Sequence, residues 1–244
     1  LNYLEFSKED WTFSMRHCLK LCGMGLPMGL QYSITAIGSV ILQTAVNDMG
    51  STYVAAVSAG SKISMFMCCP FDAMGSTMAT YGGQNVGARR LDRVDQGLKA
   101  CIKMGIIYAL VALAFSIVFG KQLALLFVKK EQIELIGYIY EFVVINAAFY
   151  IFLALVNIVR FMIQGLGYST FAILAGICEM IARSVAGFVL VPHFGFICVS
   201  LGSPLAWVCA DLFLIPAYLW VMKQLRRKFG ENKISRAKSA TATI

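Results

Sequence analysis

Charge is what this sequence has least of. Only 14% of its 244 residues are Asp, Glu, Lys or Arg, against 59% hydrophobic residues and a mean hydropathy of +0.72. Soluble domains carry about 25% charged residues, so a soluble fold of this composition would leave much apolar surface uncovered. Leu21 to Val46 contains no charged residue at all. The charge that exists is one-sided, 21 basic against 13 acidic residues, a net +8. In a soluble protein that excess would suggest nucleic acid. Lying between and beyond apolar stretches, it reads instead as membrane orientation, and no nucleic-acid partner is expected.

Other absences exclude chemistry. There are two histidines, His17 and His193, and the eight cysteines form no CxxC pair. That is a poor zinc pattern, so the cysteines are read as structural thiols and no metal is expected. No Ser/His/Asp or His/Asp arrangement stands near an apolar stretch, so the chain is not expected to be an enzyme. The glycine-rich segment at Gly82-Gly83-Gln84-Asn85-Val86-Gly87 lacks the Gly-Lys-Ser/Thr ending of a phosphate-binding loop and follows no strand. No signal peptide precedes the first apolar stretch. The chain begins at Leu1 rather than Met, which reads as an internal position of a longer polypeptide.

What is present is a set of six long apolar stretches: Leu21–Val46, Thr52–Thr80, Met104–Val128, Leu135–Val159, Thr170–Val191 and Val199–Met222. A bilayer core about 30 Å thick needs roughly 20 apolar residues per helix. The fold class is therefore all-α, with six transmembrane helices. Residues 1–20 read as an amphipathic interfacial leader, with Ser7 and Asp10 as capping residues and Trp11, Phe13 and Met15 as its apolar matter. Residues 21–222 form the bundle, and residues 223–244 a basic tail expected to be unstructured. With the N-terminus cytoplasmic, that side collects Lys8, Arg16, Lys20, Arg89, Arg90, Arg93, Lys99, Lys103, Arg160 and the seven basic residues of the tail. The other side collects Lys121, Lys129 and Lys130. Both termini are thus expected inside a multi-pass plasma-membrane protein.

Polar residues inside these stretches are the functional candidates. Gln31, Thr35, Ser39, Gln43 and Asn47 follow one another at intervals of four, so they form one ridge along the first helix. Such a ridge faces protein or a water-filled cavity, as packing glue or as cavity lining. Pro27, among Gly23, Gly25 and Gly29, makes a bend near one end plausible. The second stretch contains Lys62 and Asp72, about 80° apart around the axis, with Ser76 and Thr80 close to the same sector. A buried charge costs about 3 kcal/mol on insertion scales. Glu179 and Arg183 stand four apart and can pair along one helix, whereas Glu141 and Lys62 can reach toward an interface. Asp72 and Asp211 have no local partner. They, with Glu141 and Glu179, are the candidates for proton or cation chemistry.

Three motifs carry a family resemblance. Gln84-Asn85-Val86-Gly87-Ala88 followed by Asp92-Arg93 resembles the cytoplasmic loop signature of multidrug and toxic compound extrusion (MATE) transporters. Arg160, with Gln164-Gly165-Leu166-Gly167, resembles that family's Arg–Gln-Gly-Leu-Gly connection, and Gly25-Leu26-Pro27-Met28-Gly29-Leu30-Gln31 opens the first span as in the family. The resemblance implies one six-helix lobe of a twelve-helix exporter, assigned to the C-terminal lobe because a leader precedes the first span and no span follows the tail. It implies an N-terminal lobe as partner, an organic cation or other drug-like substrate, a lipid bilayer, and proton or sodium as coupling ion with no organic cofactor. The ridge from Gln31 to Asn47, with Ser76, would line the cavity. The chain departs from sodium-coupled relatives, whose acids on the first and fourth helices of this lobe correspond to Thr35 and Phe149 here. A lipid-linked precursor flippase of the same superfamily is one alternative, though only Lys62 and Arg183 offer cationic charge for a headgroup. A non-transporting half-protein or scaffold is the other.

Overall fold

In lipid a backbone amide finds no water, so each spanning segment must satisfy its own hydrogen bonds. The long charge-poor stretches accordingly become helices. A computed structural model describes residues 13–241, with side chains described through Gly230 except those of Lys20 and Met24. The helices are α1 (Met15–Met49), α2 (Ser51–Gly87), α3 (Leu91–Ala124), α4 (Ile133–Ala148), α5 (Tyr150–Gly165), α6 (Thr170–Val185), α7 (Val191–Phe194) and α8 (Phe196–Thr241). A π-helical turn, Ala186–Leu190, joins α6 to α7, and the described residues contain no strand. Five of the helical stretches are long and apolar enough to cross a membrane, and α4 with α5, bent by 51° at Phe149, makes the sixth. The protein is a multi-pass membrane protein.

The expected spans and the observed ones differ at their edges. The leader residues Ser7, Asp10 and Trp11 lie outside the described residues, and from Met15 onward the chain already belongs to α1. That helix continues through Pro27, where a bend was plausible. The glycine-rich signature segment is not a loop: α2 runs to Gly87, and only Ala88–Arg90 forms the turn before α3. The basic tail begins as helix, because α8 continues without interruption past Met222 and through Lys223, Arg226 and Arg227.

Glycine sets how closely these helices approach. A side chain at Gly165 would meet the backbone of Ala79, and Gly83 faces the Gly165 carbonyl, so α2 and α5 cross back to back there. Gly75 receives the Phe161 ring and Gly82 the Met162 sulfur along the same seam. Small residues at helix interfaces let backbones close up, which replaces the hydrophobic drive that lipid cannot supply. Gly38, Gly176 and Gly187 do the same between α1 and the α6 span. The single residue between α1 and α2, Gly50, has φ +113°, a conformation that favours glycine.

Two apolar cores result. One joins α2, α3, α5 and α8 around Phe71, Tyr150, Met162 and Leu214, with Phe71 edge-on to Tyr108 and Tyr150 at 5.0 and 5.7 Å. The other, toward the end carrying Gly50, joins α1, α2, α4 and α8 around Val46, Ile139, Val143 and Val199. The opposite end carries the Ala88–Arg90 turn and most of the basic residues. There Asp95 on α3 accepts hydrogen bonds from Tyr218 (2.8 Å) and Arg226 of α8.

Candidate functional site

The polar ridge of α1 divides into two halves. At the basic end, Gln31 is 2% exposed and its Oε1 accepts from Gln164 Nε2 at 2.8 Å. Half-buried Thr35 lies against Gly176, and its carbonyl accepts from Arg183 at 3.5 Å. This half sits in the packing between α1, α5 and α6. Ser39, Gln43 and Asn47 behave otherwise. Gln43 Nε2 donates to Asn47 Oδ1 at 3.1 Å, and Ser39 donates back to the Thr35 carbonyl at 3.2 Å. Ser39 and Gln43, with Ser61 and Ser203, line a cavity of about 150 Å³ between α1, α2 and α8. One sequence pattern thus runs from packed interface into open polar surface.

A second exposed polar column lies on α2. Asp72, Ser76, Thr80 and Gln84 follow at intervals of four and are all exposed. Ser76 donates to the Asp72 carbonyl at 3.0 Å and Thr80 to the Ser76 carbonyl at 3.3 Å, so each hydroxyl oxygen remains free to accept. Ser76, Thr80 and Gln84, with Thr77 and Tyr81, border a shallow recess of about 440 Å³. Asp72 has no charged partner on its own helix and finds a neutral one on another. Asn157 of α5 donates Nδ2 to Asp72 Oδ1 at 3.2 Å. Lys62 does not reach Asp72; its ammonium sits 5.9 Å from the Phe127 ring centroid, on the α3 side of the helix.

The remaining acids are held differently. Glu179 is 2% exposed and bonded to two guanidiniums, Arg160 of α5 and, at 3.3 Å, Arg183 of its own helix. The pairing with Arg183 follows from the i,i+4 spacing. The pairing with Arg160 follows from no helical spacing, and it places inside the bundle a charge that the sequence assigns to the cytoplasmic side. Arg160 is 5% exposed and lies well inside α5. Asp211 on α8 is 4% exposed and lies in the field of Arg160, while neither carboxylate oxygen has a hydrogen-bond partner among the described residues. Glu141 is half-buried on α4. Phe149 occupies the break between α4 and α5.

The signature residues act mainly on shape. Asn85 is buried; its Nδ2 donates to the Tyr81 carbonyl at 2.8 Å and its carbonyl accepts from Arg90 N–H at 2.8 Å, which closes the α2–α3 turn. The backbone carbonyl of Arg93 accepts from Tyr81 Oη at 3.1 Å. Gly87 and Ala88 are exposed at the turn. Gly165 marks the α2–α5 crossing, and Gly167, with φ +90°, turns the chain toward α6. All eight cysteines are free thiols, and no group of three His, Cys, Asp or Glu among the described residues stands together to hold a metal.

Comparison with known proteins places this geometry. A family model described as MatE matches residues 27–189. The chain is 22% identical over 130 residues to the probable multidrug resistance protein YoeA of Bacillus subtilis (strain 168), covering 53% of this chain and 27% of that protein. It is similar in fold to the crystal structure of MATE in complex with MaL6, with a TM-score of 0.81 at 19% identity over 92% of this chain and 51% of that one. An outward-facing conformation of a multidrug resistance MATE family transporter of the MOP superfamily gives a TM-score of 0.79 at 20% identity, with the same coverage of 92% and 51%. The chain spans about half the length of those solved structures, and its match to the Bacillus protein covers about a quarter of that protein. By the family match and the fold together, this chain belongs to the MatE family and forms one half of its transporter fold.

Proposed function

We propose that this chain is the C-terminal lobe of a secondary active exporter of organic cations and other drug-like compounds. Export is driven by proton or sodium antiport, with two six-helix lobes rocking about a midplane cavity. The partner is an N-terminal lobe of the same transporter, in the plasma membrane, with both termini of this lobe cytoplasmic.

The observation that carries this reading is the exposed polar surface of an otherwise apolar bundle. Ser39, Gln43 and Asn47 on α1 and Asp72, Ser76 and Thr80 on α2 are open or half-open in this lobe. Lipid does not solvate such groups, so they call for water or a second protein surface. A cavity between two lobes provides both. The similarity to a probable multidrug resistance protein supports the substrate class. No step requires covalent chemistry.

Within this reading the acids have separate roles. Asp72 is the coupling group, because it is exposed on the polar column and tied only to a neutral amide. Glu179 is structural, because two guanidiniums neutralise it. Asp211 and Glu141 are secondary candidates; Asp211 is enclosed beside Arg160, and Glu141 is on the α4 side of the bundle.

The test is transport by the complete two-lobe polypeptide in proteoliposomes. Efflux of a fluorescent organic cation driven by an imposed proton or sodium gradient is expected. Absence of gradient-driven movement with both ions, in protein that binds the cation, would remove the antiport reading.

A further inference from the structure

The groove between α2 and α3 contains a charge that the transport reading does not use. It has a volume of about 520 Å³, within the range of ordinary ligand sites. Its walls are apolar: Ile63 and Phe66 from α2, Val111 and Phe115 from α3, and Phe127 just beyond α3. The one wall hydroxyl, Tyr108, is already used, donating to the Met67 carbonyl at 3.0 Å. The free polar group is the Lys62 ammonium, at 5.9 Å from the Phe127 ring centroid.

Lys62 stands three turns into α2, and helical side chains lean toward the N-terminus of their helix. The amine therefore points toward the end carrying Gly50, where Leu126 and Phe127 lie. No carboxylate among the described residues pairs with it; the ion pairs are Arg90–Asp92, Arg160–Glu179, Arg183–Glu179 and Arg226–Asp95. A cation in an apolar groove calls for an anion.

The groove also borders a surface suited to lipid. The outer face of α3 beside it presents Met104, Ile107, Val111 and Val118, and none of these is polar. An anion that arrives from the bilayer with an apolar body attached is a phospholipid. We propose that this groove is a binding site for an anionic phospholipid, with its phosphate at Lys62 and an acyl chain along Phe66, Val111 and Phe115.

The test is native mass spectrometry of the complete transporter released from nanodiscs of mixed phosphatidylglycerol and phosphatidylcholine. The wild type is expected to retain phosphatidylglycerol in preference to phosphatidylcholine. Lys62→Gln should reduce that preference by roughly fivefold, the equivalent of about 1 kcal/mol per basic residue facing anionic lipid. Lys62→Arg should keep it. Val111→Trp fills the groove while leaving the charge, and should lose retained phosphatidylglycerol as well. Unchanged preference in Lys62→Gln, or unchanged retention in Val111→Trp, overturns the site. Displacement of the retained lipid by a transported drug at transport concentrations also overturns it, since the groove would then be a substrate site. Should Lys62→Gln fail to fold, Val111→Trp carries the test alone.

Discussion

Asp72 and Glu179 are both acids in apolar helices, and they end in opposite settings. Glu179 is enclosed, and two guanidiniums from two helices share its carboxylate. Asp72 is exposed on the lobe surface, and its partner is the neutral amide of Asn157. Removing the Glu179 charge strands two buried cations. Removing the Asp72 charge strands nothing, because an amide can bond to an amide. An intramembrane charge thus marks either the fastening of the bundle or a working surface, and the company it keeps decides which.

Substitutions sharpen that comparison. The largest effect belongs to Glu179→Gln. Breaking a buried ion pair costs about 3–5 kcal/mol when the partner charge stays behind, and here two stay. The variant should accumulate poorly and melt far below the wild type in detergent; a normal melting temperature would mean Arg160 and Arg183 are satisfied elsewhere. Next comes Gly165→Ala. Its new methyl group would meet the Ala79 backbone, which cannot rotate away as a side chain can. Forcing the helices apart should cost about 1–3 kcal/mol, read from the same melting curves. An unchanged melting temperature would show that the α2–α5 crossing is loose.

The smallest stability effects belong to the open half of the α1 ridge. Ser39→Ala and Gln43→Ala should each change stability by within about 0.5 kcal/mol, since their hydrogen bonds stay on their own helix. Gln43→Ala should nevertheless alter the relative transport of different organic cations, because it lines the cavity with Ser39. Identical substrate profiles for Gln43→Ala and wild type would return that position to a packing role.

The spans were legible because length and charge poverty are properties of a stretch. The family was legible because its motifs are short and ordered along the chain. Partnerships between helices were not. Arg160 and Glu179 are 19 residues apart, and Asp72 and Asn157 are 85 apart, so no helical spacing relates them. Arg160 was within reach of sequence reasoning all the same. It is flanked by Asn157-Ile158-Val159 and Phe161-Met162-Ile163, yet a span drawn to end at Val159 excluded it by one residue. The division of the α1 ridge was hidden for another reason. Gln31 and Gln43 look alike along the helix, and the approach of Gly176 on α6 and Gln164 on α5 encloses the first. The break at Phe149 has no glycine or proline to announce it.

The separation of fastening from working charges is tested most directly by one experiment on Asp72→Asn in the complete transporter. Gradient-driven efflux and the melting temperature are measured on the same purified sample. The expected result is a melting temperature within a few degrees of the wild type, retained cation binding, and loss of gradient-driven efflux. Wild-type efflux by Asp72→Asn, or a melting temperature that falls as far as that of Glu179→Gln, would contradict it.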